Sequence, residues 1–390
     1  MSNFSMYVPT RILFGEGRLN ELHTQKMPGK KALIVISSGK STRANGYLDR
    51  TQEELTKANC TFVVFDKIQA NPLKSTVEEG AAFAKKNNCD FVVALGGGSV
   101  MDSSKTIALM ATNPGDLWDY ALGGTGKSFP IKVQPLPIIA ITTTAGTGSE
   151  VDGMGVITNE ATHEKMGVGG ECLFPKIAIV DSELMKSVPA KLTAYQGFDA
   201  LFHSMEGYIN KKANLMSDMY ALTAVENVGK YLALAVNNGN DMKARGHLAF
   251  ANTLSGVVMD IAGCTSEHSM EHALSAYHET LPHGAGLIML SKSYFGYFAE
   301  HHVCDERLIK LAEALGMKQA ANAEDIVTSL DLLQKNCGVD NLKMSDYGIS
   351  KDEFLKFSKN AHSAMARLFT NDRVTLDDDA VVEIYNKAYK

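Results

Sequence analysis

The first half of the chain alternates short apolar runs with stretches of helical spacing. Residues 31–36 (KALIVI), 60–65 (CTFVVF), 90–95 (DFVVAL), 137–142 (PIIAIT) and 177–180 are apolar at nearly every position. Such runs predict strands buried on both faces. Residues 52–58, 77–88 and 99–111 between them predict helices, and Asn71 with Pro72 breaks the chain. Alternation of this kind predicts a parallel sheet covered by helices. From about Pro189 the β-branched runs almost vanish. Helices are predicted over 192–210, 215–235, 242–259, 267–276, 285–299, 306–314, 323–337, 350–364 and 377–388. The expected organisation is an α/β N-terminal domain over 1–188 and an all-α C-terminal domain over 189–390. An active site in the cleft between them is the usual arrangement.

The length of 390 residues fits two domains, and 45% hydrophobic with 21% charged residues is ordinary for a globular chain. A formal charge of −6 gives no reason to expect nucleic acid or an anionic membrane as partner. No apolar run approaches a membrane span, and the N-terminus lacks the basic and apolar regions of a secretory signal, so a cytoplasmic protein is expected. The cysteines Cys60, Cys89, Cys172, Cys264, Cys304 and Cys337 are scattered without a CxxC pair, which argues against a disulfide scaffold or a cysteine-based zinc site. Cys264 is expected to be a buried, inert thiol.

The strongest chemical signal is GCTSEHSMEHALSAYHETLPHG, which carries His268, His272, His278 and His283. His268 and His272 share one helical face, and Pro282 is expected to end that helix so that His283 folds back. Upstream, GFDALFHSMEGY places Asp199 and His203 four apart. Asp199, His203, His268 and His283 offer three nitrogens and one carboxylate oxygen, a set that suits Fe²⁺ or Zn²⁺ and has too few oxygens for Ca²⁺ or Mg²⁺. The bland reading is a polar helix with surface histidines beside a hydrogen-bonded Asp–His pair.

Gly96-Gly97-Gly98-Ser99 follows a buried strand and opens a helix, where free N–H groups can receive a pyrophosphate. It matches neither GxGxxG nor the P-loop, and a tight turn is its ordinary alternative. A second polar turn, TTTAGTGSE, follows residues 137–142 and offers hydroxyls to a ribose or phosphate; a surface loop is its bland reading. Lys165 beyond it is a candidate phosphate or ribose contact, with a solvated surface lysine as the alternative.

These motifs resemble the iron-containing, or group III, alcohol dehydrogenases. The resemblance covers essentially the whole chain: FGEG, the Asn71-Pro72 step, GGGSVMD, TTAGTGSE, PKIAIVD, GFDALFHSME, EHSMEHALSA, LPHG and LFTN. It implies the fold shared with dehydroquinate synthase and glycerol dehydrogenase: an α/β N-terminal dinucleotide-binding domain over 1–188 plus an all-α C-terminal metal-binding and substrate domain over 189–390. It places the metal ligands on Asp199, His203, His268 and His283, and a catalytic histidine between metal and nicotinamide on His272. Its dinucleotide contacts fall on Asn71, Gly97, Gly98, Ser99, Thr143, Thr144, Thr147 and Lys165, with Asp102 bracing the glycine turn. The stretch from His268 to His283 is one residue longer than in some members, which keeps His278 as a spare ligand candidate. NAD-using members resemble one another in an acid after the first strand, which would repel a 2′-phosphate. Here that turn reads ISSGKSTR without an acid. Ser41 and Thr42 can donate to a phosphate and Lys40 and Arg43 add charge, so NADP is favoured over NAD.

The implied function is NAD(P)-linked oxidation of small primary alcohols or reduction of aldehydes. A glycerol or propanediol dehydrogenase is the alternative, and a dehydroquinate synthase-like lyase a weaker one, because no Lys/Arg cluster flanks the candidate ligands. No charged substrate clamp is legible. Trp118, Tyr120, Tyr294, Phe295, Tyr297 and Phe298 are candidate cleft aromatics whose ordinary reading is core. An edge strand within residues 10–14 predicts a homodimer.

Overall fold

The computed structural model describes residues 3–390. They form two compact units, Tyr7–Val188 and Pro189–Lys390, with the N-terminal residues up to Met6 grouping with the second.

The first unit is built on a six-stranded parallel sheet in the order β1-β8-β5-β4-β2-β3. Its strands are β1 (Arg11–Phe14), β2 (Lys31–Ser37), β3 (Thr61–Ile68), β4 (Phe91–Gly96), β5 (Ile138–Thr142) and β8 (Ile177–Val180). Helices α1 (Ser41–Ala44), α2 (Tyr47–Lys57), α3 (Lys74–Lys86) and α4 (Gly98–Met110) complete it. β4, β5 and β8 are buried at every position, as expected for central strands covered on both faces. Ile34, Val93, Ile139 and Ile179 form the middle of one core layer. The chain runs outward from β2 to β3, then returns to place β4 on the other side of β2. That reversal opens a crevice at the carboxyl ends of β2 and β4, where open α/β sheets bind ligands.

The hairpin β6 (Met154–Asn159) and β7 (Glu164–Gly169) was not read from the sequence. Its strands are rich in glycine and charge, so the β-branched signal is weak. β7 is buried on both faces, and polar groups stand on each: Glu164 and Lys165, neighbours on opposite faces, are both buried.

The second unit is helical: α5 (Ala190–Ile209), α6 (Leu215–Asn237), α7 (Met242–Ile261), α8 (Ser266–Tyr277), α9 (His283–Glu300), α10 (Asp305–Ala314), α11 (Asp325–Asn336), α12 (Phe354–Ala364), α13 (Ala366–Phe369) and α14 (Asp378–Ala388). α5 and α8 are buried almost all round, so their polar side chains stand in the interior and not on a wet surface. Tyr294, Phe295 and Phe298 are fully buried and Tyr297 nearly so, which makes the aromatics of α9 core residues. None of the described helices is by itself long and apolar enough to cross a membrane.

Pro282 acts differently from expectation. α8 already ends at Tyr277, and Pro282 immediately precedes α9 with His283 at its first position. A proline with fixed φ and no N–H suits a helix start, where no intrahelical partner is lost.

Candidate active site

Three helices of the second unit bring the sequence-selected ligands together. α5 supplies Asp199 and His203, α8 supplies His268 and His272, and the first turn of α9 supplies His283. Close approach of α9 to α5 depends on Gly284: a Cβ there would lie 2.3 Å from the Tyr195 carbonyl oxygen. Asn210 Nδ2 donates to the carbonyls of Ala262 and Gly263 at 2.9 and 3.1 Å, which fixes the chain just before α8.

Asp199 Oδ1 is the centre of the cluster. It lies 3.6 Å from His203 Nδ1, 3.6 Å from His268 Nε2 and 3.5 Å from His283 Nε2. Ligands bound at 2.0–2.2 Å around a tetrahedral ion are separated by about 3.4 Å, so the spacing suits one cation. Asp199 Oδ1 and His268 Nε2 are buried and make no hydrogen bond. Two orphaned buried acceptors aimed at one point are costly unless a further group sits there. Donor atoms of Asp199, His268 and His283 fall within 4.8 Å of one another, and so do those of His203, Cys264 and His268. His203 stacks on His268 with ring centroids 4.4 Å apart.

Two buried carboxylates unmarked in the sequence reading orient the imidazoles. Glu206 Oε1 accepts from His268 Nδ1, and Glu271 Oε2 accepts from His283 Nδ1. An imidazole that gives its Nδ1 proton to a carboxylate presents Nε2 as a lone pair to a metal. Glu206 also accepts from Thr265 N and Oγ1 at 2.8 and 2.9 Å, anchoring the start of α8 to α5. Each glutamate adjoins or lies near a candidate ligand in sequence, so a buried acid within three residues of a histidine was the available signal.

The electrostatics of the cluster favour positive charge. Burial pushes the Asp199 carboxyl up, but His203, His268 and His283 outweigh it and hold it well below the usual carboxylate range. Burial opposes a protonated His268, yet Cys264, Glu206 and Asp199 raise it well above its ordinary value. Glu267 is driven the other way: burial and the neighbouring Glu206 raise it well above a normal carboxyl. A cation in the cluster would satisfy the same field.

His272 Nδ1 lies 3.0 Å from Met365 Sδ, and its ring is 5.2 Å from that of His283. It therefore borders the cluster. His278 does not join it: its Nε2 pairs with Glu353 at 3.1 Å, beyond the end of α8. Cys264 is buried as expected, but its thiol sits among the candidate donors.

In the first unit, the glycine turn sits where β4 passes into α4. Thr143 N donates to Gly96 O at 2.9 Å, so the turn after β5 lies against it. A Cβ on Gly97 would lie 2.8 Å from Thr144 Cγ2, and one on Gly98 2.3 Å from Thr147 Cγ2. These glycines are needed for that approach. The TTTAGTGSE turn is largely buried and is not a surface loop. Asp102 braces it: Oδ1 accepts from Ser149 Oγ at 2.7 Å and Oδ2 from Val156 N at 2.9 Å. Buried Lys105 donates to Ser149 Oγ and Asp152 Oδ1, both at 2.7 Å. Lys165 is not a solvated lysine: it is buried, with Nζ 3.2 Å from Asn71 Oδ1. Ser99 stands in the first turn of α4, and Ser41 opens α1 exposed to solvent. Trp118 donates through Nε1 to Thr125 and Glu164 at 3.1 and 3.0 Å, which fixes it structurally.

A parallel sheet with a phosphate-type glycine turn, carried in one chain with a buried carboxylate–imidazole cluster, defines a metal-dependent, nucleotide-linked oxidoreductase. Comparison with known proteins narrows the class. Residues 9–182 match the family model "iron-containing alcohol dehydrogenase" and residues 193–389 that of "Fe-containing alcohol dehydrogenase family, C-terminal". An NAD-dependent methanol dehydrogenase of Bacillus methanolicus is 33% identical over 99% of this chain and 100% of its own length. A 1,3-propanediol dehydrogenase of Citrobacter freundii is 31% identical over 99% of each. An archaeal Red Sea brine-pool alcohol dehydrogenase superposes with a TM-score of 0.94 at 33% identity, covering 100% of this chain and 99% of that one. The chain belongs to the iron-containing alcohol dehydrogenase family, and its activity is that of an alcohol dehydrogenase.

Proposed function

We propose that the chain interconverts small primary alcohols and aldehydes, with Asp199, His203, His268 and His283 holding one divalent ion, iron before zinc. The observation that carries this is the pair of orphaned atoms, Asp199 Oδ1 and His268 Nε2, facing each other at 3.6 Å in a buried field that favours positive charge. When bound, the ion supplies Lewis acidity toward the substrate oxygen, and the nicotinamide accepts or returns the hydride. The residues of the chain do the positioning. Glu206 and Glu271 lock the His268 and His283 tautomers. His272 borders the cluster and is assigned the proton: it takes it from the alcohol hydroxyl or returns it to the aldehyde oxygen.

The dinucleotide is assigned to Ser41, Asn71, Gly97, Gly98, Ser99, Thr143, Thr144, Thr147 and Lys165. The crevice at the carboxyl ends of β2 and β4, and the free N–H groups of the first turn of α4, support this. NAD is the supported cofactor, in line with the names of the Bacillus methanolicus relative and of a Clostridium acetobutylicum NADH-dependent butanol dehydrogenase. The turn after β2 also supports acceptance of NADP, because it carries no acid to repel a 2′-phosphate. Arg43 contributes less than the sequence suggested, since it pairs with Asp66 at 2.7 Å. The polyol reading stays second, favoured by the 1,3-propanediol dehydrogenase relative. Six free cysteines support the reducing cytoplasm as the compartment, tested by cell fractionation. The open edge of β1, with Ile12 and Phe14 exposed, supports a homodimer, tested by sedimentation.

The test is turnover of iron-loaded protein with 1-butanol, 1,3-propanediol and glycerol, each with NAD⁺ and NADP⁺, followed by nicotinamide absorbance. Faster oxidation of 1-butanol than of glycerol with either nucleotide is expected. No reduction of either nucleotide by any alcohol, with phosphate elimination from a phosphorylated sugar acid instead, would replace the reading with the lyase.

A further inference from the structure

Among the described residues, Cys264 is the one cysteine that stands with metal-type donors. Its Sγ and the ligand atoms of His203 and His268 lie within 4.8 Å of one another. Sulfur and nitrogen bound to one tetrahedral zinc are about 3.6 Å apart, a spacing inside that limit. Cys264 is a free thiol, and it is buried, as are both imidazoles.

The surrounding chain fixes the thiol in this place. Gly263, at φ +78°, takes the left-handed turn between α7 and α8. The Cys264 carbonyl accepts from Asn371 Nδ2 at 2.8 Å and from Asn210 Nδ2 at 3.3 Å, and both asparagines are buried. On the other side, His203 and His268 stack with ring centroids 4.4 Å apart. His268 Nε2 is buried and makes no hydrogen bond.

That nitrogen is contested. It also lies 3.6 Å from Asp199 Oδ1, in the donor set completed by His283. Among the described residues, Cys264 forms no such set with Asp199 or His283. His268 Nδ1 is engaged by Glu206, so the ring has a single lone pair to offer. One lone pair serves one ion at a time. The two sets also differ in softness, since one brings a carboxylate oxygen and the other a thiolate. A thiolate selects Zn²⁺, which also outranks Fe²⁺ in affinity for such donors.

We propose that His203, Cys264 and His268 form a second, thiolate-containing cation position that takes Zn²⁺ and, by sharing His203 and His268, keeps iron out of the Asp199 position. The thiol proton passes to solvent as the Zn–S bond forms. This position goes beyond the alcohol dehydrogenase reading and borrows two of its donors. Cys264 is then a ligand, not the inert thiol expected from the sequence.

The experiment titrates metal-free protein anaerobically with Co²⁺, a coloured stand-in for Zn²⁺, and follows the thiolate-to-cobalt charge-transfer band in the near ultraviolet. The band should appear in the unaltered protein and be lost in Cys264→Ser and Cys264→Ala. Asp199→Ala, which keeps all three donors, should retain it. Zn²⁺ affinity against a competing chelator should fall in Cys264→Ser by at least the roughly 10- to 100-fold that loss of a metal-orienting partner costs, with Fe²⁺ affinity falling less. Cobalt bound to the unaltered protein without the band would overturn the inference and leave the iron centre intact. So would a band that persists in both Cys264 variants, or an unchanged Zn²⁺ affinity in Cys264→Ser. A band lost in Asp199→Ala would put the sulfur on the Asp199 ion and overturn the separate position. No cobalt bound at all would overturn this position and the iron centre together.

Discussion

Single atoms decide the reading of the site. Asp199 Oδ1 and His268 Nε2 are buried without partners, and the second nitrogens of His268 and His283 are tied to Glu206 and Glu271. The candidate ligands were legible because aspartate and histidine recur at i, i+4 spacing. The glutamates were not, because an acid in a polar-looking sequence reads as solvated until its helix is seen to be buried. Glu206→Gln keeps a hydrogen-bonding group but removes the charge that favours an Nδ1-protonated His268. Metal affinity measured with a competing chelator should fall by about 10- to 100-fold, with unchanged circular dichroism. Equal affinity would show that Glu206 only anchors α8.

Helices α8 and α9 meet at one carboxyl group. Tyr294 of α9 donates to Asp372 Oδ1 at 2.8 Å, and Ser266 at the start of α8 donates its N–H to the same oxygen at 3.2 Å. Burial pushes Asp372 up to about 7, against the opposing effect of those bonds and with help from Glu206. The folded state therefore prefers the neutral acid, while the unfolded chain ionises near the ordinary value of 3.8. Its contribution to stability is full below that value and is lost as pH rises toward about 7. Asp372→Asn, neutral at every pH, should gain in melting temperature relative to the unaltered protein as pH rises from about 4 to 7. A melting-temperature difference independent of pH would contradict a raised Asp372. At this scale the sequence was most informative for strands with continuous apolar runs and for long helices. It missed the β6–β7 hairpin, whose glycines and buried Glu164 and Lys165 break the strand pattern. It also misread Pro282, because a proline marks a boundary without saying which helix it belongs to.

Across the whole chain, the change at Pro189 from alternating strands to helices was visible because parallel strands buried on both faces and helices leave different apolar periods. The chemistry was divided in the same way, with a glycine turn in the first unit and histidines in the second. What the sequence left hidden were pairings between distant residues: Lys165 with Asn71 and Arg43 with Asp66. Each depends on which groups the fold brings within about 3 Å, and no local pattern encodes that. The account as a whole stands on one cation held by Asp199 and the histidines. Its most direct test is anaerobic calorimetric titration of metal-free protein with Fe²⁺, alongside Asp199→Ala and His268→Ala. The account predicts one ion per chain in the unaltered protein and loss of that binding in both variants. Retention of one tightly bound ion in either variant would contradict it.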